Sequence, residues 1–309
     1  MRPIRIAIIG FGKIAADQHV PSIQGNPRFE LVATSSRSLQ GIEPVFGDWR
    51  DLLKQVEGLD AVAITTPPSA RYEIARACIE AKLDVLLEKP PSVTLTEIDD
   101  LASLAEAAGV TLFATWHARH NPAVVAAGKA LAGKRIKEMQ IVWHEDVHKW
   151  HPGQQWIWEP GGFGVFDPGI NAFSIATAIF PGTLFVRSAD LAFPENAQTP
   201  IAAEIDFASD VSDGPLHGSL DWRRTEGEEW TISVETSDRQ SVRLLDGGSR
   251  LLIGGAEQKV GESGEYADIY REFVDLIDQR RSSVDVRPLR LVADCLLAGT
   301  RQTVEPVQM

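Results

Sequence analysis

Residues 4–15 read Ile-Arg-Ile-Ala-Ile-Ile-Gly-Phe-Gly-Lys-Ile-Ala, and no other stretch narrows the fold as far. An apolar run that enters G-x-G-x-x-A is a buried strand, a tight turn and the start of a helix. Gly10 permits the turn, Gly12 lets the backbone approach a pyrophosphate, and Ala15 allows the helix to pack closely on the strand. The helix N-terminus then offers unpaired N–H groups and its positive dipole end to phosphates. The strand before and the helix after open a βαβ unit, the context that separates this motif from an ordinary glycine turn. Gly10, Gly12, Lys13 and Ile14 are therefore candidate nucleotide contacts.

The next hundred residues repeat the alternation. Strands are expected at 29–34, 61–65, 85–87 and 110–115, between helices at 12–23, 48–53, 70–82 and 96–109, with Asp48 and Thr96 as helix caps. Short apolar strands alternating with helices predict parallel pairing with helical crossovers. The fold class is thus α/β, with a doubly wound (Rossmann) sheet over residues 1–118. Beyond it the pattern becomes one helix, 122–131, and then half-buried strands at 136–143, 184–193, 202–207, 218–223, 230–236, 242–245 and 250–253. That grammar predicts an α+β domain over 119–309, built on an open-faced, mainly antiparallel sheet. Helices at 266–279 and 288–302 close the chain, the last a candidate to pack back on the first domain.

The 309 residues suit two domains, because a single core seldom grows past about 250–300 residues. A net charge of -13 argues against nucleic acid and against an anionic membrane face. Two cysteines, Cys78 and Cys295, both in apolar helix-like stretches, read as buried free thiols in a reducing compartment and not as a disulfide. The chain passes from Met1-Arg2-Pro3 into a strand with no signal-peptide pattern, and no apolar stretch approaches the roughly 20 residues of a membrane span. A cytoplasmic location is expected.

A second signal, Leu86-Leu87-Glu88-Lys89-Pro90, sets a lysine at the carboxyl end of another buried strand. In a doubly wound sheet ligands bind beyond that edge, so a nucleotide phosphate and an ionisable amine become neighbours. At the end of the second strand, where a carboxylate would bond a ribose 2′-hydroxyl, the chain has Ser35-Ser36-Arg37. A carboxylate there would repel a 2′-phosphate, whereas Arg37 can fork onto one and Ser36 can donate to it. NADP is favoured, with NAD also accommodated.

Gly10–Ala15, the loop Thr65-Thr66-Pro67-Pro68, Glu88-Lys89-Pro90 and the change to an open-faced sheet together resemble the Gfo/Idh/MocA oxidoreductase family. The runs Trp150-His151-Pro152-Gly153-Gln154-Gln155-Trp156-Ile157-Trp158-Glu159-Pro160 and Val165-Phe166-Asp167-Pro168-Gly169-Ile170-Asn171 are similar to its bacterial aldose 1-dehydrogenases acting on L-arabinose and D-galactose. The resemblance implies oxidation of an anomeric hydroxyl to an aldonolactone, D-fucose being a related substrate. It also implies a homo-oligomer, and nucleotide contacts from Thr65, Thr66, Pro67, Glu88 and Lys89. Carried over, Lys89 lies beside the nicotinamide and bonds the substrate hydroxyl. The family's Asp-x-x-x-His, whose histidine is the general base, becomes Asp167-Pro168-Gly169-Ile170-Asn171. An amide cannot take a proton, so the base is Asp167, Lys89, or the two together; Asp167 is preferred, with Lys89 polarising and Asn171 orienting. A helix N-cap is the structural alternative for Asp167.

Half of the eight tryptophans fall between Trp143 and Trp158. Aromatic walls with a few placed polar groups suit the C–H faces of sugar rings. His117, Glu145, Trp150, His151, Trp158 and Asn171 are the sugar-binding candidates, while Trp143 reads as core. His144-Glu145-Asp146-Val147-His148 matches the zinc-protease pattern H-E-x-x-H, which requires a helix. On the expected strand the two histidines would be about 13 Å apart, so no metal is assigned. Two other functions share the fold signals: a non-catalytic dinucleotide sensor, and different chemistry such as NAD-assisted glycoside cleavage or imine reduction.

Overall fold

Ile and Ala occupy five of the six positions of β1 (Ile4–Ile9), and the strand is buried on both faces at its centre. That is the requirement for the middle of a parallel sheet covered by helices. Around β1 stand β2 (Phe29–Ser35), β3 (Val45–Phe46), β4 (Ala61–Ile64), β5 (Asp84–Leu87) and β6 (Leu112–Ala114), in the order β3-β2-β1-β4-β5-β6. All pairings are parallel. The order reverses between β1 and β4, so the ligand-binding crevice lies there, beyond the strands' carboxyl ends. This computed structural model describes residues 2–261 and 264–308.

The helices of this sheet are α1 (Val20–Gln24), α2 (Trp49–Gln55), α3 (Pro68–Glu80) and α4 (Leu95–Ala108). The cap of α4 is Thr94 and not Thr96: Thr94 and Glu97 form a reciprocal capping box, and each satisfies an orphan donor of the other's turn. The helix expected over 12–23 is broken into a π-turn, Ala15–His19, followed by α1. Pro21 has no N–H to donate, and Val20 N–H closes a wider loop onto the Ala15 carbonyl.

The chain divides into two units, residues 1–117 with 264–286, and residues 118–263 with 287–309. The boundary expected near 118 therefore stands beside a return of the chain that the sequence division lacks. Helix Glu265–Gln279 joins the first unit, because Tyr266, Ile269, Tyr270 and Phe273 lie on one buried face in a core with Ile4, Ile6, Ile8, Phe29 and Phe113. Helix Arg287–Ala298 stays with the second unit.

In the second unit α5 (Pro122–Leu131) leads into β7 (Ile136–His144). The strand ends at His144, since Asp146 caps α6 (Val147–Trp150) by accepting from His148 N–H at 2.9 Å. His148 is thus on a short helix and not on the strand. After α7 (Phe166–Ile179) come β8 (Phe185–Pro194), β9 (Ala202–Ala208), β10 (Leu216–Asp221), β11 (Glu229–Thr236), β12 (Ser241–Leu245), β13 (Arg250–Ile253), β14 (Ala256–Glu257) and β15 (Thr300–Val304). They form a sheet in the order β14-β13-β12-β11-β7-β10-β9-β8-β15, antiparallel except at β7/β10 and β8/β15. The last helix stops at Ala298, short of residue 302, because Gly299 closes on the Cys295 carbonyl and Thr300–Val304 then pairs with β8. Burial alternates strictly along β10, the mark of a sheet with one covered face. Cys78 and Cys295 are free and buried, and burial pushes the Cys78 thiol up to about 12.

Candidate active site

At the end of β1 the backbone turns at Gly10 with φ +101°, and a Cβ there would stand 2.6 Å from the Thr66 nitrogen. Only glycine lets the β1 turn and the β4 loop come this close. Gly12 differs: a Cβ would meet nothing within 4 Å. Protein packing does not require glycine at 12, and the open space over it is what a phosphate needs. Across the turn, Thr65 Oγ1 donates to the Gly10 carbonyl, while Thr66 Oγ1 is buried without a partner. Lys13 pairs with Asp17, one helical turn on, and Ile14 is 39% exposed, so both lie on the outer side of the turn. The turn fits a dinucleotide pyrophosphate.

Ser36 Oγ lies 2.8 Å from Ser38 Oγ at the end of β2. Arg37 is exposed beside it. The residues that follow this strand, Ser36-Arg37-Ser38, carry no carboxylate. At the end of β5, Glu88 turns inward: its carboxylate is 3% exposed and engaged by the protein. Glu88 is therefore a buried support, and its side chain is not available to a nucleotide. Lys89 follows with a cis bond to Pro90. Arg71, unremarked in the sequence, ties these loops together. Its guanidinium is 5% exposed and donates to the carbonyls of Thr66, Glu88 and Pro90. A single arginine in the first turns of a helix after Pro67-Pro68 was the signal available for it.

His117 Nδ1 lies 2.9 Å from Glu265 Oε2, and its ring stacks on Tyr266 with centroids 5.7 Å apart. Both partners come from the returning helix, which sequence separation concealed.

In the second unit, α7 begins at Phe166, so Asp167 sits within its first turn; the N-cap position belongs to Val165. Asn171 follows four residues later, on the same helical face. Gly169 between them seats α7 on β10, since a Cβ would be 2.6 Å from Leu220 Cδ1. His151 Nε2 approaches Asp167 Oδ2 at 3.4 Å. The His151 ring lies 5.2 Å from Trp222, and Trp158 meets the same indole edge-on at 5.4 Å. Glu145, 5% exposed, accepts from the indole N–H groups of Trp222 at 3.1 Å and Trp230 at 2.9 Å. Trp150 is 45% exposed, donates to Glu228 at 2.7 Å and lies 5.7 Å from Trp230. The structure thus gathers Glu145, Trp150, His151, Trp158 and Asp167 around Trp222 and Trp230, two residues the sequence reading passed over. Trp143 is buried in the core. His144 Nε2 is 2.9 Å from Ser219 Oγ on the sheet. Among the described residues no group of three His, Cys, Asp or Glu side chains is placed to hold a metal ion.

The model of the oxidoreductase family with an NAD-binding Rossmann fold (Gfo/Idh/MocA) matches residues 4–115. Galactose 1-dehydrogenase of Pseudomonas fluorescens is 44% identical over 307 residues, covering 99% of this chain and 99% of that one. The crystal structure of D-galactose-1-dehydrogenase protein from Rhizobium etli superposes with a TM-score of 0.93 at 46% identity, covering 100% and 99% of the two chains. A 3-ketoreductase from Actinomadura kijaniata, crystallised with NADP and TDP-benzene, shares the fold with a TM-score of 0.83 at 16% identity, covering 98% and 99%. The chain belongs to the Gfo/Idh/MocA family. It is an oxidoreductase with a dinucleotide-binding first unit. No helix among the described residues is long and apolar enough to cross a membrane.

Proposed function

We propose that this protein is an NAD(P)-dependent aldose 1-dehydrogenase that oxidises the anomeric hydroxyl of D-galactose to the aldonolactone, with L-arabinose and D-fucose as further substrates. The reading is carried by full-length identity of 44% to a galactose 1-dehydrogenase, taken with the aromatic cluster around Trp222, which His151 links to Asp167. The two sugars share ring stereochemistry, and galactose adds a hydroxymethyl group; an extra group of that size gives weak discrimination unless it clashes.

The turn of Gly10, Gly12, Lys13 and Ile14, with Thr65, Thr66 and Pro67, holds the nucleotide pyrophosphate at a helix N-terminus. Arg37 and Ser36 receive a 2′-phosphate, which favours NADP while NAD still binds. When bound, the nicotinamide supplies the acceptor for the C1 hydride. Asp167 takes the anomeric hydroxyl proton, Lys89 polarises that oxygen and shares the proton, and Asn171 orients the hydroxyl from the same face of α7. His151 and His117 offer ring nitrogens to the sugar hydroxyls, and Trp158 and Trp150 supply apolar faces. Glu145 acts through the indoles of Trp222 and Trp230. A homo-oligomer in the cytoplasm completes the proposal.

A panel of free sugars, offered with NADP and with NAD and followed by nicotinamide absorbance, tests it. Turnover of D-galactose or L-arabinose supports the reading. Nucleotide binding without turnover of any aldose, or release of an aglycone or consumption of an amine while free aldoses stay inert, overturns it.

A further inference from the structure

In the first unit a carboxylate sits where an apolar side chain would pack. Glu88 is 3% exposed, and its neighbours His19, Tyr266 and Tyr270 are buried to 5% exposure or less. Each oxygen has an assigned donor. Oε1 accepts from the Tyr266 hydroxyl at 2.8 Å and lies 3.0 Å from His19 Nε2. Oε2 accepts the backbone N–H of Lys89 at 3.0 Å. A carboxylate only accepts, so His19 Nε2 carries a proton in this contact. His19 Nδ1 lies 2.7 Å from the Tyr270 hydroxyl. The rings are held edge-on: His19 is 5.0 Å from Tyr266 and 5.8 Å from Tyr270, centroid to centroid.

Glu88 keeps its charge in this surrounding. Burial alone would raise its pKa, but the His19 hydrogen bond and the positive field of His19, His117 and Arg71 outweigh burial and hold it well below the usual carboxylate range. Burying such a group is costly, and a hydrophobic side chain would pack as well or better. What the carboxylate reaches, and a hydrophobic residue could not, is the amide of residue 89.

We infer that His19, Glu88, Tyr266 and Tyr270 are positioning residues that fix the main chain at Lys89, so that helix Glu265–Gln279 helps aim the amine. Three separate elements converge on one carboxylate: the π-turn after the phosphate-binding motif, the end of β5, and a helix that returns late in the chain. All four are buried, at 5% exposure or less. Their effect on rate passes through the Lys89 backbone, and it rests on the reading of Lys89 as a catalytic residue.

Tyr266→Phe removes one hydroxyl and keeps the ring that stacks on His117. In the sugar assay this variant should lower kcat about tenfold, leave the nucleotide KM within about twofold, and raise the primary isotope effect with sugar deuterated at C1. Tyr270→Phe, one bond further from the carboxylate, should shift the same quantities less. A kcat equal to wild type would overturn the inference. So would a loss that only tracks the unfolded fraction with the isotope effect unchanged, which is the mark of a merely structural role. Hydrogen exchange at single amides needs no substrate and keeps this separate from the assigned reaction. In Tyr266→Phe the Lys89 amide should exchange about tenfold faster, while the Glu88 amide, bonded to the Ile64 carbonyl at 3.1 Å, stays protected. Unchanged Lys89 exchange refutes the positioning network even if no sugar is oxidised; accelerated exchange in a protein inert to all aldoses refutes the reaction instead.

Discussion

Arg71 Nη1 donates to the Glu88 carbonyl at 2.6 Å, across 17 positions of sequence. The Nε of the same guanidinium donates to the Thr66 carbonyl at 2.8 Å, so one planar fork joins two loops at the ligand-binding edge of the sheet. Lysine has a point charge on a flexible stem and cannot reproduce that fork. Arg71→Lys should therefore leave buried carbonyls unpaired and cost about 2 kcal/mol of stability, read by urea unfolding. Dinucleotide affinity should fall with it; a variant as stable as wild type would show that the bridge is dispensable.

Lys89→Ala and Asp167→Ala separate chemistry from binding. Each should reduce kcat by about a hundredfold or more and leave nucleotide Kd, from fluorescence titration, nearly unchanged. Wild-type turnover in both variants would end the catalytic assignment.

Cofactor choice is tested at Arg37. A forked, charge-assisted contact to a 2′-phosphate is lost in Arg37→Ala, and NADP should bind about tenfold more weakly, or roughly 1.4 kcal/mol. NAD affinity should hold. Equal loss for both nucleotides would remove the 2′-phosphate role.

The two glycines of the first turn should part company on substitution. Gly10→Ala meets both a φ of +101° and a 2.6 Å approach to Thr66, so it should destabilise the fold by about 2 kcal/mol or more. Gly12→Ala has open space; its thermal midpoint should match wild type, while dinucleotide affinity drops because the methyl fills the cradle. Matching affinity in Gly12→Ala would dismiss the phosphate-binding role.

A pH effect is expected on the open face of the second unit. His217 lies 2.9 Å from Glu204 and 3.1 Å from Asp206. Burial pulls its pKa down, yet the hydrogen bonds to Asp206 and Glu204 outweigh that and raise it. A histidine whose folded pKa is raised contributes fully below its unfolded value, near 6.5, and loses that contribution as pH rises through the folded value. The pair is 39% and 54% exposed, so solvent screening keeps the effect below about 1 kcal/mol. His217→Gln should lower the thermal midpoint more at mildly acidic pH than at mildly alkaline pH; the reverse order would contradict the charge arrangement.

Local signals were legible where the chemistry is local. The β1 turn needs glycine for reasons of φ and contact distance, and apolar runs and β periodicity placed twelve strands to within two residues, while β3, β14 and β15 were not foreseen. Helix ends were less legible. Thr94 rather than Thr96 caps α4 because the partner Glu97 decides the cap, and residues 300–304 pair with β8 although their run continues a helical stretch.

Residue chemistry thus pointed to the nucleotide turn and the lysine after β5, and the family resemblance to the aspartate in the first turn of α7, because backbone conformation and side-chain ionisation are properties of a few adjacent residues. Tertiary structure alone decided which partners those groups meet. Tyr266 reaches Glu88 across 178 positions, Trp222 reaches Glu145 across 77, and helix Glu265–Gln279 joins the first unit by packing its aromatic face into that core. Such pairings depend on which apolar surfaces bury one another when the whole chain closes, and no window of sequence carries that information.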